Sequence, residues 1–330
     1  MKDDRLRNFL KDVLVSMPLD WLNLTTHRLD VYDESKAKTQ FIDQFSELYN
    51  SESIHNESLQ KLPTAFDYIR LGHPLSCVLE WAIATKYGVA ADRVIAFSSQ
   101  TIPIMAILRK NALEGKATQI IYDGELPADF NQEMIASVYT YQCVFKKLDT
   151  EAIIPEFEGT TIVFSNKEEL ADFDRRFNVD FSINYQAGLG SILLVLDAEN
   201  ESYITEIQHV RRRETIAMTP ANTFIVLEHM LSKRTIKTVQ NDADKLMVLS
   251  EIKEITNTEV LPIVASSGLS IQYAIMMGLI DDAIEQHVDK PIKIIVPPNC
   301  YGGTNDQARR VAEILGNVEV VDLPVDGGSD

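Results

Sequence analysis

Three cysteines in 330 residues, Cys77, Cys143 and Cys300, are too few for a disulfide framework and too scattered for a metal-ligand cluster. A reducing cytoplasm is the compartment they imply, and no metal site is expected. Cys300, next to Tyr301, reads as a buried structural thiol before a reactive one. Basic charge is scarce as well: 31 Lys and Arg stand against 49 Asp and Glu, a net charge of −18. No basic stripe outweighs that repulsion, which argues against general binding to nucleic acid or anionic membranes. A small anion held by local donors remains compatible. No apolar run is long enough to span a bilayer, and the opening MKDDRLRNFLKD is not a signal peptide.

Glycine is missing from the first 60 residues, which are polar and charged with apolar residues at helical spacing: Leu6, Phe9, Leu10, Val13 and Leu14. This segment reads as helices joined by short loops. The remainder, in a chain that is 45% hydrophobic, is ample for one large core or two smaller ones. Four stretches are expected: a helical arm over 1–60, a first α/β unit over 61–200, a helical segment over 201–258 and a second α/β unit over 259–330. Strands are expected at Gln119 to Tyr122, Thr160 to Phe164, Ser191 to Leu196, Leu261 to Val264, Ile292 to Val296 and Val318 to Asp322. The run Ala187-Gly188-Leu189-Gly190 lacks a third glycine and opens a strand, so it is not a dinucleotide loop.

Two stretches carry the chemistry. In the first, the short strand Leu261 to Val264 leads into Ser266-Ser267-Gly268 and then an apolar helix. A small-residue turn at a helix start presents free N–H groups and a positive helix end, a natural seat for phosphate. In the second, PIKIIVPPNCYGGT, a strand leaves through two prolines into Tyr301. An aromatic at the C-terminal end of a strand in an open α/β sheet stands where ligands bind, and it can cover a planar ring. Arg93 to Asp123 repeats the theme with Ser98-Ser99-Gln100. There glycine is missing from the turn and the aromatic from the partner strand, so the second copy is the better candidate.

Ser266-Ser267-Gly268-Leu269 and Tyr301-Gly302-Gly303-Thr304 resemble the Ser-Ser-Gly-Met phosphate turn and the Tyr-Gly-Gly-Thr of the Cys/Met-metabolism family of pyridoxal-phosphate enzymes, the cystathionine γ-synthase and γ-lyase group. Tyr68, Arg70, Gly72, Pro74, Leu79 and Glu80 resemble the family's Tyr-x-Arg-x-Gly-Asn-Pro-Thr and the helix after it, with His73 in the Asn position. Thr219-Pro220, Asn222, Phe224, Leu231, Arg234, Asn241 and Ala243 resemble a later segment. In the family that segment follows the phosphate turn, whereas here the better turn comes after it. The resemblance covers about half of the chain, in patches.

The resemblance implies a fold-type I PLP-transferase-like large domain, an α/β fold with a mostly parallel sheet flanked by helices. It implies pyridoxal phosphate as cofactor and C–S bond formation or cleavage on a small amino acid related to cysteine, homocysteine or cystathionine. Ser266, Ser267, Gly268 and Leu269 would bind the phosphate, and Tyr301 would stack on the ring and act in catalysis. Tyr68 and Arg70 would reach the phosphate from a neighbouring subunit of a homo-oligomer, a dimer or tetramer. The N-terminal arm either crosses to that partner or caps its own subunit. The Arg211-Arg212-Arg213 run reads as a solvated face, with binding of a substrate carboxylate as its functional alternative. The family's Ser-x-Thr-Lys, source of its Schiff-base lysine, does not occur; Ser165-Asn166-Lys167 is the nearest candidate. The end at Asp330 reads as a truncation or as one partner of a split site, a second chain supplying the rest. A non-catalytic subunit that keeps the fold without the lysine is the rival expectation.

Overall fold

The computed structural model describes residues 2–23, 34–51, 54–63, 65, 68–148, 153–166, 169–173, 175–176, 178–232 and 242–323. Three helices open the chain: α1 (Lys2–Ser16), α2 (Glu34–Ser51) and α3 (Asn56–Gln60). They cap their own chain. Leu6, Phe9, Leu10 and Val13 of α1 pack with Phe41 and Phe45 of α2 against α4 (Pro74–Tyr87). Phe9, Phe45 and Tyr49 surround Trp81 edge-on or tilted, with ring centroids 5.0–5.7 Å away. Such aromatic contacts add to the burial of area that binds the helices down.

The first α/β unit runs β1 (Val94–Phe97), α5 (Ile102–Glu114), β2 (Thr118–Asp123), α6 (Gln132–Tyr139), β3 (Cys143–Lys147), β4 (Thr160–Ser165), β5 (Phe181–Gln186) and β6 (Gly190–Val195). Its six strands lie in the order β1-β6-β5-β4-β2-β3. β6 is antiparallel to both neighbours, and the other pairs are parallel. The fold is therefore mixed α/β, with a mostly parallel sheet between helices. β1, β4 and β6 are buried throughout, which is why each carries an unbroken apolar stretch, VIAF, IVF and ILLV. The Ala187 to Gly190 run is the turn of the β5–β6 hairpin, pairing Gln186 with Gly190. Gly190 has φ +116°, and a Cβ there would sit 2.1 Å from the Phe97 carbonyl oxygen. Glycine serves a close strand crossing here.

α7 (Ser202–Glu214) and α8 (Pro220–Ser232) follow, then α9 (Asp242–Thr256). Thr219 Oγ1 accepts from Asn222 N–H at 3.3 Å, capping α8 as its Thr-Pro start predicts. Of the matched residues in this region, Arg234 and Asn241 lie outside the described residues. The second unit is α10 (Gly268–Gln286), β7 (Ile292–Val296), α11 (Gly302–Ile314) and β8 (Val318–Asp322), with β7 parallel to β8. This repeats the β2–α6–β3 step, preceded by a helix that takes the place of α5. The frame is repeated but not covered. Leu261 to Val264, expected as a strand, forms none: Leu261 and Ile263 are 69% and 78% exposed. Among the described residues no sheet edge receives them, and apolar sequence without pairing does not make a strand.

The joint between the units combines apolar packing, Val138 and Tyr139 against Met277 and Val311, with ion pairs. Arg310 of α11 donates to Glu206 of α7, and Arg109 of α5 donates to the Arg310 carbonyl at 3.1 Å. Asp306 of α11 accepts from both Arg213 Nε (3.0 Å) and His209 Nε2 (2.8 Å) of α7. Deeper in the first unit, Glu80 of α4 is sealed from water. It accepts from the Ala96 N–H (2.9 Å) and Arg211 (3.0 Å) and pairs with Lys38 (2.6 Å). Burial alone would raise its pKa, but Lys38 and Arg211 outweigh it and hold the carboxyl below its usual range. Arg211 is 1% exposed, which overturns the reading of its run as a solvated face.

Two buried groups give opposite pH dependences. His73 caps α4, accepting from Ser76 N–H at Nδ1 and donating from Nε2 to the Met218 carbonyl at 2.7 Å. Burial lowers its pKa to about 4. The unfolded chain therefore binds a proton that the folded chain refuses, and stability is lost as pH falls from about 6.5 toward 4. The difference amounts to about 3 kcal/mol. Glu214 is pushed up to about 7, chiefly by burial and against the pull of Arg310 and Arg109. Its contribution runs the other way, with stability lost as pH rises from the ordinary carboxylate range through 7. The two slopes oppose each other between roughly pH 4.5 and 6.5, so variants are needed to see either. His73→Asn keeps a capping side chain and should steepen the loss of stability with rising pH in that window. Glu214→Gln should stabilise the chain at pH 8 and make no difference at pH 4. Denaturant melts across this range check both; parallel curves for variant and wild type would overturn the assignments.

Candidate functional site

The turn before α10 is built as its sequence directs. Ser267 is extended (φ −157°, ψ 165°) and its Oγ accepts the Ser270 N–H at 3.2 Å, a side-chain N-cap. The hydroxyls of Ser266 and Ser267 both lie within hydrogen-bond reach of Ser270 Oγ, at 3.1 and 2.7 Å. The N–H groups of Gly268 and Leu269 have no partner among the described residues, as the first donors of a helix must without a ligand or water. A Cβ on Gly268 would meet no atom within 4 Å beyond its chain neighbours and its own helix backbone.

Tyr301 precedes α11 and is 59% exposed. The two turns touch. A Cβ on Gly303 would lie 2.7 Å from Leu269 Cδ1 and 2.8 Å from the Tyr301 ring, so a larger residue there would push one of these side chains aside. Leu269 is buried in that contact. Cys300, expected as a buried thiol, is only half-buried.

Arg70 completes the cluster. Its Nη2 donates to the Tyr301 hydroxyl at 3.1 Å, its Nη1 donates to the Arg212 carbonyl at 3.2 Å, and its guanidinium lies 4.5 Å from the Tyr68 ring centroid. The loop carrying Tyr68 and Arg70 is a tight turn, with the Leu71 and Gly72 N–H groups both donating to the Tyr68 carbonyl. Arg70 was expected to arrive from a neighbouring subunit; it meets Tyr301 of its own chain. Arg70, Arg213 and Arg212 all bias Tyr301 toward ionisation. The Arg70 hydrogen bond is the largest influence and holds the phenol below the usual tyrosine pKa.

Contacts thus join Tyr68, Arg70 and Tyr301, and Leu269, next to the Ser266 to Gly268 turn, lies against Gly303 beside Tyr301. Lys167 lies outside the described residues. Among the described residues, the cations that act on Tyr301 are arginines. Sequence reasoning offered the Arg211 to Arg213 run as a binder of a substrate carboxylate only as the alternative and without choosing a member, because a triple-arginine run carries no mark of which members turn inward; Arg212 and Arg213 are the ones that act on Tyr301. The matching turn of the first unit is closed: Ser98 N–H donates to the Ile216 carbonyl (3.1 Å), and Ser99 Oγ accepts from the Thr101 and Ile102 N–H groups. Its donors are used by the chain itself.

No protein-family model and no curated protein matches the sequence. Solved structures do. The metB protein of Corynebacterium glutamicum is 13% identical, with 68% of this chain and 70% of that one covered at a TM-score of 0.35. A Campylobacter jejuni protein described as an O-acetylhomoserine (thiol)-lyase, solved with a pyridoxyl-lysine monophosphate, is 15% identical, covering 74% and 72% at 0.36. Cystathionine gamma synthase of Xanthomonas oryzae, with aminoacrylate and cysteine, is 12% identical, covering 70% of each at 0.35. The chain is similar to these proteins.

Proposed function

We propose that this chain binds pyridoxal phosphate in the joint between its two α/β units. The associated chemistry is of the transsulfuration type, making or breaking a C–S bond on a cysteine-, homocysteine- or cystathionine-like amino acid. The observation that carries the binding reading is the hydrogen bond from Arg70 to Tyr301, between residues 231 positions apart. It joins a guanidinium to an exposed aromatic side chain, and the start of α10 lies beside that aromatic through Leu269 and Gly303. The reaction class rests on the sequence resemblance of those same residues.

The residues fit the group. Open N–H donors at Gly268 and Leu269, the Ser266 and Ser267 hydroxyls and the Arg70 fork suit a phosphate dianion. Tyr301 presents a ring face for the pyridine. When bound, pyridoxal phosphate supplies an electron sink for the amino-acid substrate. Tyr301, with its phenol eased toward ionisation, is suited to taking up or returning a proton beside that ring. A Schiff-base lysine is the remaining requirement for turnover. Among the described residues the cations that act on Tyr301 are arginines, which supports a second reading, a non-catalytic subunit that holds the group without a covalent link. Borohydride reduction followed by mass spectrometry separates them: one stoichiometric pyridoxyl-lysine supports the enzyme, and none supports the subunit.

Gly268→Val should abolish binding of pyridoxal phosphate while leaving the melting temperature nearly unchanged, because the new side chain meets only the ligand's space. Tyr301→Ala should weaken binding by about 1–2 kcal/mol, and Tyr301→Phe by much less. Titration calorimetry reads all three, and unchanged affinity in Gly268→Val removes the site. A phenolate difference titration of wild type against Tyr301→Phe isolates the Tyr301 midpoint. It should fall below the ordinary tyrosine value and return toward it in Arg70→Ala; a midpoint indifferent to Arg70 would contradict the contact.

A further inference from the structure

We infer that Gln307 is a positioning residue that sets the separation between the phosphate turn and Tyr301; the inference rests on the pyridoxal-phosphate reading above. Gln307 is 1% exposed, on the second turn of α11. Its Nε2 donates to two carbonyls, those of Arg213 (2.8 Å) and Leu269 (2.9 Å). Its Oε1 accepts from Gln272 Nε2 at 3.0 Å, and Gln272 Oε1 accepts from Thr304 Oγ1 at 2.8 Å. Three elements meet in this network: the end of α7 beside Arg70, the first turns of α10 behind the Ser266 to Gly268 turn, and the start of α11 that carries Tyr301.

The side chain needed here has two donors and one acceptor in a plane, which a carboxamide supplies. A glutamate would face two carbonyl oxygens, and a lysine would leave the Gln272 amide without an acceptor. A fully satisfied buried network specifies one arrangement of the elements that it joins. Gln307 touches neither the open donors of Gly268 nor the Tyr301 ring face. It acts by fixing where those two stand relative to each other. A ligand that spans turn and ring depends on that separation, whereas a ligand that fills only the turn does not.

The test uses the whole chain and two probes, pyridoxal phosphate and inorganic phosphate, titrated calorimetrically or by competition. Gln307→Met keeps the length and loses the amide. It should bind inorganic phosphate within about twofold of wild type and pyridoxal phosphate about tenfold more weakly, the scale of one to two lost buried hydrogen bonds. Gln272→Met should show the same split, and the double variant should be no weaker than Gln307→Met alone, because both remove one network. Should Gln307→Met fail to fold, Thr304→Val, which removes only the outer member, should give the split at smaller size. Affinity for both probes falling together overturns the inference by making Gln307 merely structural, as does unchanged affinity for pyridoxal phosphate. A wild-type chain that binds neither probe removes the site reading itself, and the inference with it.

Discussion

Glu80 is a carboxylate without access to water, and the placement of the second unit depends on how it is satisfied. A charge so deeply buried persists only with strong partners, and breaking one such pair typically costs about 3–5 kcal/mol. Its partners are Lys38 from the N-terminal helices, the backbone of β1 and Arg211. Arg211 belongs to α7, so the demand of one carboxylate pins the last turn of that helix. The next two residues then carry the consequences. The Arg212 carbonyl receives Arg70, and the Arg213 carbonyl receives Gln307. A salt bridge inside the first unit thereby fixes the surface on which the second one rests.

Much of this was legible in the sequence, for identifiable reasons. β7 and β8 fall where their apolar runs fall, Ile292–Val296 and Val318–Asp322, because β-branched runs bounded by polar turns have few alternatives. The Ser266 to Gly268 turn and Tyr301 carry local chemistry that the backbone expresses directly. Leu261 to Val264 was misread because pairing is a non-local property: four apolar residues become a strand only if an edge receives them. The burial of Arg211 was hidden for a related reason. Its partner stands 131 positions earlier, and nothing in three consecutive arginines distinguishes the buried one from those beside it.

The repeated frame explains why one turn is open and its counterpart is not. In the first unit the segment after α7 folds back, and the Ile216 carbonyl takes the Ser98 N–H. Chain at that place does what a ligand does elsewhere. In the second unit no described segment reaches the Gly268 and Leu269 donors. The closed copy carries a large core and gives the joint its rigid side, while the open copy presents the donors. Arg70, on the first unit, meets Tyr301 at the start of α11 in the second.

Fourteen of the large apolar residues with more than a third of their surface in water lie between Leu246 and Leu323, among them Ile263 and Ile295. β7 pairs with β8 on one side only. Such an edge is a template for intermolecular pairing. The chain also carries a net charge of −18, and mutual repulsion holds molecules apart at low ionic strength. Salt shortens the reach of that repulsion to about 10 Å at 0.1 M and 3 Å at 1 M. The colloidal behaviour of this protein is therefore governed by the solvent: dilute buffer disperses it, and concentrated electrolyte brings bare edges within reach of each other.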